Sequence, residues 1–119
     1  MKKNAIEEKS FSFAVEIVNL YKFIYTDKKE FVLAKQLLRS GTSIGANVRE
    51  ALNAQSKKDF LSKMNIALKE ASETKYWLEL LVATEYISEN QFLSIRNDCT
   101  EIEKILTQIV KTTKNNLKN

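Results

Sequence analysis

Phe13, Ile17, Leu20 and Ile24 recur at spacings of four, three and four, which draws one apolar stripe along a helix. The pattern predicts a first helix over about residues 5–25. Apolar positions continue around it through Tyr21, Ala14, Tyr25, Val18 and Phe11 to Val15, and Phe23 falls on the side expected to meet water. At 100° per residue this coverage exceeds the roughly 100° stripe of an ordinary surface helix. A helix apolar over so much of its circumference calls for partners on two sides. In a chain this short, the second partner is expected to be another subunit.

The run Thr26-Asp27-Lys28-Lys29-Glu30 interrupts the pattern. Asp27, with Glu30 three residues on, reads as a capping box that opens a second helix over about 28–54. Its apolar face is Phe31, Ala34, Leu37, Leu38, Gly41, Ile44, Gly45, Val48, Ala51 and Leu52. Both glycines of the chain lie on that face, one turn apart. A glycine inside a helix costs about 1 kcal/mol relative to alanine, so two of them ask for a compensating reason, and close helix–helix approach supplies one. The alternative is a loop at Ser40-Gly41-Thr42-Ser43 that splits the helix. The apolar period passes through both glycines without a phase slip, which favours one continuous helix.

Ser56 with Asp59 starts a third helix, expected over about 57–86, with Phe60, Met64, Ala67, Ala71, Thr74, Leu78 and Leu81 facing the core. Ile66, Trp77 and Leu80 form a second apolar strip, and Trp77 is expected at a seam between helices or subunits. Ser88 with Gln91 caps a fourth helix over about 89–111, whose stripe is Phe92, Ile95, Cys99, Ile102, Leu106 and Ile109. Residues 112–119 lose the pattern and are expected to fray as a basic tail. The absence of proline, with two glycines in all, argues against a turn-rich β architecture. The expected fold is all-α: a single domain over 1–119, an antiparallel up-down-up-down four-helix bundle that is homo-oligomeric.

Composition narrows the function classes. Hydrophobic residues make up 44% and charged residues 29%, a balance that supports a packed core. With no histidine there is no imidazole base for Cys99 or for any serine, and no imidazole metal ligand. The lone Cys99 lies in an apolar stripe and reads as a small buried hydrophobe; with no disulfide framework, a reducing cytoplasm is expected. The first ten residues, MKKNAIEEKS, lack the apolar run of a secretory leader. No apolar stretch approaches the roughly 20 residues of a membrane-spanning helix, and no membrane partner is expected. The net charge of +4 sits at one end of the chain. Lys104, Lys111, Lys114 and Lys118 account for four of the 19 basic residues and have no acid among them, leaving 15 against 15 acids before residue 104.

Two groups of side chains are candidates for function. Gln36, Arg39, Ser43, Asn47 and Glu50, spaced three, four, four and three, form a polar line up helix 2, and Asn65, Lys69, Glu73 and Tyr76 form a comparable line on helix 3. One reading is a hydrogen-bonding seam, Arg39 and Lys69 against Glu50 and Glu73, that fixes register between helices or subunits. The other is a ligand or nucleic-acid surface. The second group is Lys57, Lys58, Lys63, Lys104, Lys111, Lys114 and Lys118, which could contact phosphates with strong salt dependence; the plainer alternative is solubility and charge suited to a helix C-terminus. Glu50, Glu70 and Glu73 bring to mind a carboxylate metal site, but such bundle sites add Glu-x-x-His motifs. No metal, cofactor or catalytic residue is expected.

The segments QLLRSGTSIGANVREA, KKDF and ALKEASETKYWLELL closely resemble the bacterial four-helix-bundle family known from 23S rRNA intervening sequences. The matching positions include Gln36, Arg39, Ser40, Ser43, Ile44, Asn47, Glu50, Phe60, Ala67, Lys69, Glu70, Glu73 and Trp77. The resemblance implies a four-helix bundle assembled as a homopentamer, without known catalysis, with RNA or an RNA-associated protein as partner. A relative in diversity-generating retroelements works with a reverse transcriptase and RNA and looks far more basic than the neutral body of this chain.

Overall fold

The computed structural model describes residues 4–118 and contains four helices: α1 (Ala5–Thr26), α2 (Val32–Leu52), α3 (Lys57–Ala83) and α4 (Glu89–Lys118). Each boundary has a local cause. Asn4 starts α1 by accepting the Ile6 and Glu7 N–H groups on its side-chain oxygen, at 3.0 and 3.4 Å. Ser56 starts α3 by accepting the Asp59 N–H at 3.0 Å. At α4 the Ser88 hydroxyl accepts the Gln91 N–H while the Gln91 side chain accepts the Ser88 N–H, the reciprocal capping box that the sequence predicted.

Three boundaries differ from expectation. Asp27 does not open α2; it closes α1, its N–H donating to the Phe23 carbonyl at 2.8 Å. Lys29 then takes a left-handed backbone conformation (φ 53°), and α2 begins only at Val32. Glu30 acts alone, its carboxylate accepting the Ala34 N–H at 2.9 Å. The third helix stops at Ala83 rather than near 86 because the chain enters a Schellman turn: Glu85 is left-handed (φ 67°), and the Tyr86 and Glu85 N–H groups donate to Leu81 and Val82 carbonyls at 2.9 and 3.1 Å. The fourth helix continues through the expected frayed tail to Lys118. No glycine or proline follows Lys111 to end it, and Thr113 bonds back to the Ile109 carbonyl at 2.7 Å.

The helices pack in chain order around one core. α2 lies between α1 and α3, α3 between α2 and α4, and α1 closes the ring against α4 by its sparsest seam. That is the up-down-up-down bundle. Buried positions largely follow the predicted stripes: Phe13, Ile17 and Ile24 from α1, Leu37, Ile44 and Val48 from α2, Met64, Leu78 and Leu81 from α3, Ile95, Ile102 and Leu106 from α4, whereas Phe31 and Leu52 at the ends of the α2 face are exposed and Val110 is buried in place of Ile109. Phe23 departs from expectation. It is half-buried, lining a hollow with Val82, Tyr86 and Ile87, because the α3–α4 turn folds over that end of α1.

α2 is unbroken through its glycines, and the glycines explain how it lies on α1. A Cβ at Gly41 would stand 2.7 Å from both Cγ1 and Cγ2 of Ile17. At Gly45 it would stand 3.3 Å from the Ser10 carbonyl oxygen. On the opposite side of α2, the buried Ser40 hydroxyl is hydrogen-bonded to Thr74 of α3 at 3.0 Å.

Gly41→Ala is therefore expected to lower stability by about 1–2 kcal/mol, since overpacking against the stiff, branched Ile17 outweighs the gain in helix propensity. Gly45→Ala, with only a mild carbonyl contact to relieve, is expected to stay within about 0.5 kcal/mol of the parent. Chemical denaturation of both variants measures the contrast. At the α3–α4 turn, Glu85→Gly removes the left-handed penalty of a residue with a Cβ and is expected to raise stability by about 0.5–1 kcal/mol, read as a shift in denaturation midpoint.

Candidate nucleic-acid interface and polar seam

Antiparallel pairing of α3 and α4 decides where the lysines go. The Cys99 thiol donates to the Ala71 carbonyl at 3.3 Å, and Lys75 pairs with Glu103 at 3.0 Å. Counting outward from Ala71 and Cys99, Lys57 and Lys58 come level with Thr113 and Thr112, and Lys63 with Thr107. Lys111, Lys114 and Lys118 are on the same terminal turns of α4, so the start of α3 and the end of α4 bring two lysine groups to one end of the bundle. Lys57, Lys58, Lys104, Lys111, Lys114 and Lys118 are exposed, with no ion pair among the described residues. Lys63 differs: it is half-buried and lies 3.8 Å from Glu50 of α2. Asp59, exposed in the first turn of α3, is the acid embedded in the cluster.

The polar lines on α2 and α3 do meet: Glu73 is a partner that the seam reading gave to Arg39, while Glu70 and Lys63 are partners it did not name. Arg39 reaches across to two carboxylates one turn apart on α3, Glu70 at 3.0 Å and Glu73. Glu50 takes Lys63, while Lys69 and Gln36 are exposed and make no side-chain bond among the described residues. Ser43 and Asn47 bond to carbonyls of their own helix, those of Arg39 and Ser43. Trp77 is half-buried beside the core, edge-on to Tyr76 at 5.1 Å, and its indole N–H has no acceptor among the described residues. Arg39 is itself 52% exposed. An exposed ion pair of this kind contributes little to folding.

Cys99 is sequestered: burial, with the Glu103 charge nearby, pushes its thiol up to about 12, so it carries little thiolate at neutral pH. Among the described residues, no group of three or more cysteine or acidic side chains is placed to hold a metal ion. No helix is long and apolar enough to cross a membrane. One feature escaped the sequence reading altogether. Where α1 meets α4, a groove of about 340 Å³ is lined by Glu8, Lys9, Glu16, Asp98 and Glu101 together with Ser12, Phe13 and Ile102. Lys9 is ion-paired with Glu101. Burial, then the neighbouring Asp98, pushes the Glu16 carboxyl up to about 7. No local spacing could reveal this pair, since its members lie on the first and last helices.

The 23S rRNA-intervening sequence protein family matches residues 2–108 of this chain. The chain belongs to that family. A crystal structure of a protein of unknown function from the S23 ribosomal protein family of Bacteroides thetaiotaomicron is similar to it: 64% identical, covering 90% of this chain and 99% of that one, with a TM-score of 0.89. No curated protein matches. The family match takes in the polar seam, Lys57, Lys58, Lys63 and Lys104, and ends before Lys111, Lys114 and Lys118. The basic last turns of α4 therefore lie beyond what the family match defines.

Of the polar contacts between α2 and α3, the hidden one is expected to matter more for folding. Arg39→Ala should shift unfolding by about 1 kcal/mol or less. Thr74→Val, which removes the donor to the buried Ser40 oxygen and leaves that hydroxyl only its 3.4 Å contact to the Leu37 carbonyl, should cost about 1–2 kcal/mol, and adding Ser40→Ala should recover part of that loss. A double-mutant cycle at positions 40 and 74 supplies the measurement.

Proposed function

We propose that this protein is a non-enzymatic, homo-oligomeric helical bundle of the cytoplasm that binds RNA through the lysines at one end of the bundle. The observation that carries the reading is the pairing of α3 with α4. It brings Lys57 and Lys58 alongside Lys111, Lys114 and Lys118, in a stretch where residues 104–119 contain no acid. Clustered exposed ammonium groups suit a phosphate backbone, which they contact without reading sequence. The family's description, tied to 23S rRNA, is in keeping with this chemistry.

Self-association is supported by the outer face of α1. Phe11 is 57% and Val15 47% exposed, beside a hollow of about 200 Å³ lined in part by Ala14, Gly45 and Ala46. Small residues flanked by exposed aromatic and aliphatic ones suit a helix of a second copy, and the family resemblance suggests five copies. In this reading, the Arg39–Glu70–Glu73 cluster, with Gln36 and Lys69 beside it, serves assembly. The same apolar face favours a second reading, in which the bundle is a protein–protein scaffold with no nucleic-acid role.

Titration of labelled structured RNA at salt concentrations below and near physiological distinguishes the two. The RNA reading expects micromolar or tighter binding with a steep log–log salt dependence. Replacing Lys57, Lys58, Lys111, Lys114 and Lys118 by glutamine is expected to weaken binding at least tenfold and to reduce the salt slope by up to about five. Absence of binding at low salt, or binding indifferent to these five substitutions, would leave the scaffold as the better account.

A further inference from the structure

At its sparsest seam the bundle brings two acids into one groove. α1 and α4 form the sparsest of the four seams, and Glu16 of α1 and Asp98 of α4, both half-buried, line a groove between them. The remaining charged groups facing this groove are Glu8 and Lys9 from α1 and Glu101 from α4; α2 and α3 contribute none of its lining. Lys9 is engaged by Glu101. Lys9 also feels the Asp98 charge, and among the described residues no other cation lines this groove.

We propose that a proton held on Glu16 and donated to Asp98 latches α1 to α4, and that its loss loosens this seam. With the proton in place, one carboxyl donates a hydrogen bond to the other carboxylate, a charge-assisted contact across the helices. Without it, two like charges face each other in a partly desolvated groove. Direction follows from linkage. The Glu16 carboxyl holds its proton up to about 7 in the folded chain, against an ordinary value of 4.5. Between those values the folded state binds a proton that the unfolded state has released, so stability falls as pH rises through that window and the loss is complete above it. The chain has no histidine, so no imidazole titrates there to mask the effect. The latch does not rest on the RNA reading.

The test is thermal unfolding of the full chain, with hydrogen exchange of α1 amides, at about pH 5.5 and about pH 8. The parent is expected to melt on the order of 5 °C lower at the higher pH, with α1 amides losing protection relative to those of α2 and α3. Glu16→Gln, whose amide can donate to Asp98 at any pH, is expected to remove this difference and keep α1 protected. Asp98→Asn, which supplies the donor from the other side, is expected to do the same. A melting difference that persists unchanged in both variants would overturn the latch. So would a parent whose stability and α1 protection do not change between the two pH values.

Discussion

The bundle depends on how closely α2 can lie against α1. Where other helices carry side chains, α2 presents Gly41 to Ile17 and Gly45 to the Ser10 backbone, so the interface there is built from one helix's side chains and the other's bare backbone. That closeness has a consequence on the far side. α2 is packed between α1 and α3, and its depth against α1 helps set the distance at which Ser40 meets Thr74 and Arg39 meets its two acids on α3. Two glycines that weaken a helix in isolation are thereby offset by contacts that an alanine-rich helix could not make at the same spacing.

The seams on either side of α4 are held differently. α3 and α4 share a long interface with a buried thiol–carbonyl contact and the Lys75–Glu103 pair. α1 and α4 meet more sparsely, and their seam leaves a groove lined by four acids, one lysine, a serine and two apolar residues. The gradient from the tight α1–α2 contact to the open α1–α4 seam makes α1 a helix firmly attached on one side and loosely on the other. Its outer face, carrying Phe11 and Val15, is also where the monomer leaves most aromatic and aliphatic surface on this helix uncovered.

Charge is organised by topology as much as by composition. α4 runs 30 residues against 22 for α1, and its last turns carry lysines without acids. Because α3 is antiparallel to α4, its first turns, with Lys57 and Lys58, lie beside them. A chain whose first 103 residues balance in charge thus acquires a strongly basic end. The family match covers residues 2–108, most of the bundle, and ends before the last three of these lysines.

Much of the fold was legible in the sequence because helical periodicity reports burial directly. The stripes of all four helices, the unbroken path through Gly41 and Gly45, and the caps at Ser56 and Ser88 were all readable from neighbours within four residues. Misreadings arose where a local signal had two uses. Asp27 and Glu30 have the spacing of a capping box, but Asp27 ends one helix while Glu30 starts the next. The weak apolar pattern after Lys111 suggested fraying, yet the helix persists because nothing in the chain stops it. What only the tertiary structure decided was pairing between distant segments: Glu70 joining Glu73 at Arg39, Glu50 with Lys63 instead of Lys69, Phe23 covered by the α3–α4 turn, and Glu16 facing Asp98. Periodicity fixes which face of a helix turns inward. It is silent about the height and rotation at which two helices meet, and those quantities, set here by side-chain volumes in the core and by two missing side chains on α2, determine which charges become neighbours.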